Sequence, residues 1–130
     1  MVKKLKFVLD TNVVSDYLSA SFPATGMDLM DTAMDAAPNI SIITQIELLC
    51  WNTDETTTQN VKDFISDSVV LDIGPDVVAQ CVNIRKGKKI KMPDAIIAAT
   101  ALAHGYTLIT NNEKDFANIK GLKIINPYKR

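Results

Sequence analysis

The sequence predicts an α/β fold in which a mainly parallel sheet is covered by helices on both faces. Three observations lead there. Short β-rich runs alternate with stretches of helical periodicity along most of the chain, which is the order that βαβ units impose. The stretch from Ala95 to Ala103 is apolar or small around its whole circumference and so marks a helix covered on more than one side. With 130 residues, 47% hydrophobic and 22% charged, and no repeats or low-complexity tracts, the chain has the make-up of one soluble domain with one core.

In chain order, Leu5 to Leu9 is a strand ending at Asp10, and Thr11 with Asn12 can cap a helix carrying Val13, Val14, Tyr17 and Leu18. Between Phe22 and Pro38 lies a Met-rich helix with Met27, Met30, Ala33, Met34 and Ala37 on one face, expected to be core, with an adaptable partner groove as the alternative role of its three methionines. Asn39 to Thr44 reads as a second strand, with Thr44 capping a helix through Ile46, Leu48 and Trp51 that holds Glu47 on its first turn. The polar interval after Trp51 opens a longer helix with Val61, Phe64 and Ile65 at helical spacing, and Val69 to Ile73 is a third strand. Gly74, Pro75 and Asp76 start a helix whose inner face is expected to be Val77, Val78, Cys81 and Val82. It runs into the basic segment Arg85, Lys86, Lys88, Lys89 and Lys91.

Pro93 then suits the start of the buried helix, because its missing N–H is not needed there. Gly105 ends that helix as a left-handed cap, beside His104 at the negative end of the dipole. Tyr106 to Thr110 is a fourth strand and Lys123 to Asn126 a short last one.

Composition excludes several chemistries. One His cannot supply an imidazole acid–base pair, and there is no GxSxG elbow. The five glycines are scattered, so no nucleotide-cradling loop can be built. Cys50 and Cys81 form no CxxC pair, which indicates neither a zinc site nor a disulfide framework and makes a reducing cytoplasm the expected location. No apolar run approaches the ~20 residues of a membrane span, and Asp10 interrupts any signal-peptide core. A net charge of −1 gives no general attraction to nucleic acid, so such binding would rest on the patch 85–91.

Oxygen chemistry remains. Asp10, Glu47, Asp94 and Asp115 each follow a predicted strand or open a helix, and in a parallel sheet those positions share the carboxyl edge, where ligands bind. Converged carboxylates stay ionised together only beside a cation, and hard oxygen ligands select Mg²⁺ or Mn²⁺. Phosphodiester hydrolysis is the natural reaction of such a centre. Taken singly, each acid has a plainer reading as a helix cap or first-turn acid, and the basic run as a solvated helix end.

The stretches FVLDTNVVSDYL, ISIITQIELL and MPDAIIAATALAHGYTLITNNEKDF, with a short strand near the end, resemble the PIN-domain ribonucleases, and most closely the VapC-like toxins of type II toxin–antitoxin modules. The resemblance spans nearly the whole length. It implies a three-layer α/β/α sandwich with a mainly parallel sheet of four to five strands, formed as a single domain over residues 1–130. It also implies a Mg²⁺- or Mn²⁺-dependent endoribonuclease acting on single-stranded RNA, commonly a homodimer and partnered by an antitoxin protein. The family's acids fall on Asp10, Glu47, Asp94 and Asp115, and Thr110 matches the hydroxyl residue that ends the strand. Asn112 matches a position that is Asp or Asn across the family, and Thr11 and Asn12 flank the first acid. On this reading Asp10 and Asp94 bind the metal, Glu47 and Asp115 complete its shell, and the basic run holds the RNA, leaving a 5′-phosphate and a 3′-hydroxyl. Two rivals are a catalytically silent RNA- or partner-binding module on the same fold, and a phosphoaspartate phosphatase or receiver domain. Asn12 breaks the phosphatase pattern DxD.

Overall fold

The computed structural model describes residues 6–19, 23–35 and 37–129. Strands β1 (Phe7–Leu9), β2 (Asn39–Ser41), β3 (Val69–Leu71), β4 (Thr107–Ile109) and β5 (Ile124–Ile125) form one sheet in the order β3-β2-β1-β4-β5. Every neighbouring pair is parallel. The helices are α1 (Thr11–Leu18), α2 (Ala24–Met34), α3 (Ile42–Leu49), α4 (Glu55–Ser66), α5 (Pro75–Gly87), α6 (Met92–His104) and the short α7 (Glu113–Phe116). The expected α/β/α sandwich with a parallel sheet of five strands is therefore what the chain forms. Leu5 and Phe22, at the expected starts of two elements, lie outside the described residues.

Strand alternation explains the layering. Successive side chains of a strand point to opposite faces, so Phe7 and Leu9 join one apolar cluster and Val8 the other. On β4, Ile109 and Leu108 divide in the same way. The first cluster is bulky and includes Leu29, Met30, Leu48 and Phe64, so the Met-rich helix packs as core, although Ala37 falls outside it. The second is built largely from the alanines of α6, with Val77, Cys81 and Ile84 of α5. Where one core was expected, the sheet separates two.

Other expectations are corrected locally. The helix α3 begins at Ile42, because Ser41 Oγ accepts from the Ile43 N–H at 3.1 Å and caps it. Thr44 is therefore inside the helix and not its cap, and Glu47 lies past the first turn. Asp10, and not Thr11 or Asn12, is the N-cap of α1. On α5 the buried face is Val77, Cys81 and Ile84, while Val78 and Val82 are 50% and 46% exposed. Cys50 is exposed at the end of α3, whereas Cys81 is buried. Gly105 adopts φ 70°, as a left-handed cap requires.

Topology then fixes where a ligand can sit. From β1 the chain steps outward to β2 and β3, then crosses back to β4 on the other side of β1. The carboxyl ends of β1 and β4 flank this switch point, where the connecting loops diverge and leave a crevice. Leu9 pairs with Ile109, so Asp10 and Thr110 leave the sheet side by side. The Asp10 N–H donates to the Ile109 carbonyl at 3.0 Å.

Candidate active site at the carboxyl edge of the sheet

Asp10 is 4% exposed at the end of β1, and both of its carboxylate oxygens are held. Oδ1 accepts from the Thr11 N–H and Oδ2 from the Thr110 hydroxyl, each at 2.8 Å. Burial nonetheless pushes its pKa up from the usual carboxylate value, and the charges of Asp94 and Glu47 push the same way, against the two hydrogen bonds.

Two hydroxyl relays organise the neighbourhood. The Thr11 hydroxyl donates to Glu47 Oε1 at 2.7 Å and lies 3.0 Å from the Thr44 hydroxyl. A hydroxyl has one proton, so Thr44 donates to Thr11 and Thr11 to Glu47. In the second relay the Asn112 N–H donates to Thr110 Oγ1 at 3.0 Å, and Thr110 passes its own proton's hydrogen bond to Asp10. Asn112 caps α7 and its side-chain amide donates to Asp115 Oδ2 at 2.8 Å. Asp115, Asn112, Thr110 and Asp10 are thus one connected set across β4 and β1.

Asp94 enters from the first turn of α6. It is half-buried, and among the described residues no donor reaches its carboxylate. Burial raises its pKa first, then the charges of Asp115 and Glu47, with Lys91 opposing them. With the coupling to Asp10, Asp94 is in electrostatic contact with all three other acids. The expected four are therefore brought to one edge. Of the positions flanking them, Thr11, Thr110 and Asn112 are tied into the relays, whereas Asn12 is exposed with no side-chain hydrogen bond among the described residues.

The basic run divides. Arg85 and Lys86 end α5 beside an apolar groove, Lys88 turns to a different cleft with Asn83 and Lys120, Lys89 is exposed, and Lys91 is the member whose charge Asp94 feels. Thr44 was missed as a site residue. Its position three before Glu47 on one helix was the available signal.

The donor set tests whether a cation fits. It offers carboxylate and hydroxyl oxygens only, with a surplus of negative charge, which is the chemistry of a hard divalent ion. Among the described residues no three acidic, His or Cys side chains close around a single point. A cation at this edge would therefore take one or two of these carboxylates directly and water for the rest of its shell, a coordination that Mg²⁺ tolerates.

A profile of the PIN domain family matches residues 7–122. The chain belongs to the PIN-domain family. Within it, the chain is similar to the VapC ribonucleases: it is 32% identical to one from Sinorhizobium fredii, over 94% of this chain and 97% of that protein. Among solved structures, a toxin–antitoxin complex from Klebsiella pneumoniae contains a chain 32% identical, covering 95% of this chain and 98% of that one with a TM-score of 0.77. A DNA-bound VapBC from Salmonella typhimurium matches with a TM-score of 0.78 at 28% identity, over 95% and 99% of the two chains. No helix of the described residues is long and apolar enough to cross a membrane.

Proposed function

We propose that residues 1–130 form one nuclease domain, a Mg²⁺- or Mn²⁺-dependent endoribonuclease that hydrolyses single-stranded RNA in the cytoplasm as the toxin of a toxin–antitoxin pair. The observation that carries this reading is Asp94: a half-buried carboxylate with no hydrogen-bond donor among the described residues, electrostatically coupled to three other acids at the switch point of a parallel sheet. Lys91 opposes that repulsion, the N-terminal end of α6 favours a carboxylate on its first turn, and a bound cation would stabilise the charge further. The VapC relatives are named ribonucleases and the structural neighbours are complexes with antitoxins, which supports the substrate class and an antitoxin as partner.

Asp10 and Asp94 would hold the ion, and Glu47 and Asp115 would complete its surroundings directly or through water. When bound, such an ion supplies Lewis-acid chemistry, polarising a phosphoryl oxygen and making water a better nucleophile. The protein's own part is orientation. Thr110 and the Thr11 N–H fix the plane of the Asp10 carboxylate, and the Thr44–Thr11 relay holds Glu47 Oε1. Asn112 holds Asp115. Lys91 stands nearest the acids to take a substrate phosphate, and Arg85, Lys86, Lys88 and Lys89 extend the positive surface, so binding should weaken with salt. Purified protein is expected to cut single-stranded RNA in Mg²⁺ and to stop in EDTA. Cleavage that survives EDTA would overturn the reading.

A homodimer completes it. Val78 and Val82 on α5, with Ile73 and Met92, leave an apolar groove open to solvent. Arg85 and Lys86 border that groove, and its uncovered valines are what a second copy would bury. Val78→Glu is expected to give monomers in sedimentation; an unchanged mass would refute this surface.

A further inference from the structure

We infer that the cleft between α1 and the start of α4 is a nucleobase pocket, seating an unstacked base of the RNA one helical turn from the acids. The inference rests on the ribonuclease reading above. The cleft measures about 410 Å³, within the range of small-ligand sites, and Ser15, Trp51, Asn52, Thr53, Thr57 and Asn60 line it.

Position comes first. The Thr11–Glu47 hydrogen bond ties α1 to α3 at the acidic edge. Ser15 follows Thr11 by four residues on α1 and so lies one turn, about 6 Å, further along, while Trp51 stands two residues past the end of α3, the helix that carries Glu47. The cleft therefore neighbours the candidate active site along α1.

Chemistry selects the ligand. Among the described residues no Lys or Arg lines the cleft, and the carboxylate of Asp54, next in the chain to the lining Thr53, accepts from the N–H and hydroxyl of Thr57 at 2.7 and 3.1 Å. A phosphate is disfavoured there. Trp51 offers a large aromatic surface, and it is held because its other contacts are with the bulky core cluster. Among the described residues the side chains of Ser15, Asn52, Thr53 and Asn60 have no protein hydrogen-bond partner, so two carboxamides and two hydroxyls are left to donate and accept. A fixed aromatic plate beside uncharged amphoteric groups suits a flat heterocycle bearing both donors and acceptors. Single-stranded RNA is read in this way, by stacking on an aromatic ring and hydrogen bonding along the base edge.

Trp51 is the only Trp in the chain, so its fluorescence reports on this cleft alone. Short single-stranded RNA homo-oligomers of each base, titrated into the protein in EDTA so that they stay intact, are expected to quench it saturably and with a clear order of preference among bases. Trp51→Leu removes the reporter, so its affinity is read from the anisotropy of end-labelled RNA, and it should fall about tenfold. Because Trp51 also contributes to the core, Asn52→Ala and Asn60→Ala provide the second arm: both are exposed and both keep the reporter. Each should weaken the preferred base roughly fivefold and flatten the order of preference. Quenching by no oligomer, or an order left unchanged by both Asn variants, overturns the pocket. Cleavage in Mg²⁺ is scored separately: RNA cut without any quenching sinks the pocket and leaves the nuclease standing, while base-selective quenching without cleavage does the reverse.

Discussion

Asp10 and Asp94 are two carboxylates of one edge built on opposite principles. Asp10 is almost wholly buried, caps α1 and accepts a hydrogen bond on each oxygen. Asp94 is half-buried, opens a helix whose N-cap has no side-chain hydrogen bond, and receives no donor among the described residues. The first is fixed by the fold and would keep a structural role in a protein with no chemistry. The second is repelled by its acidic neighbours and favoured by Lys91 and by its place on the first turn of α6, so the fold holds it less firmly than Asp10.

The largest expected effect breaks the comparison on the functional side. Asp94→Asn should reduce RNA cleavage on the order of a hundredfold or more, since an ion's electrostatic contribution is worth several kcal/mol. The same substitution should leave urea stability unchanged or slightly higher, because a repelled charge is removed. A clear loss of stability in Asp94→Asn would mean that Asp94 is structural after all. Asp10→Ala should behave differently, losing activity and also about 1–3 kcal/mol of stability, because the Thr110 hydroxyl and the Thr11 N–H are left buried without an acceptor. Equal stability of the two variants in denaturant melts would contradict the distinction.

A smaller effect tests the relay. Thr110→Val keeps the shape and removes the donor to Asp10, which should weaken binding of Mn²⁺ by roughly tenfold or somewhat more, as loss of an orienting hydrogen bond to a ligand does. Calorimetric titration giving wild-type affinity would show that Asp10 needs no positioning.

The smallest expected effect is in the pH dependence. Both Asp10 and Asp94 titrate above the ordinary carboxylate value of 3.8 in the folded protein. The folded state therefore holds protons that the unfolded state has released. The stability from that excess is complete below the unfolded value and is lost as pH rises through the raised ones. In EDTA, urea stability attributable to this pair should fall between 3.8 and neutrality, and Mg²⁺ should flatten the decline. An identical pH slope with and without Mg²⁺ would separate these two acids from any cation.

Much of this was legible in the residues, and the failures share a physical cause. Alternation of β-rich and helical runs was enough to specify the parallel sheet, and the circumferential apolarity of 95–103 marked α6 as a helix covered on more than one side. Strand ends were overrun because β-branched residues continue past the last ladder bond. Ile42, Ile43 and Thr44 look like strand, yet the Ser41 hydroxyl supplies a cap and the backbone turns into α3. On α5 two apolar stripes compete for one interior. Val77, Cys81 and Ile84 take it because the sheet and α6 meet only one side of the helix, a fact that no local pattern contains. The four acids could be placed on one edge from topology alone. The Thr44–Thr11–Glu47 relay could not, since a hydroxyl selects its acceptor over about 3 Å and that proximity exists only after α1 and α3 have packed.

The alanines of α6 have a consequence beyond filling space. Ala95, Ala98, Ala99 and Ala101 are all fully covered, and short side chains let a helix lie low on its sheet. Asp94 rides at the front of that helix while Asp10 is anchored in the sheet beneath, so the gap between the two carboxylates is a spacer whose thickness is set by methyl groups. Swapping one of those methyls for a longer side chain would lift the helix and widen the jaws. Ion preference could then be tuned towards a larger cation by a residue that never touches the ion.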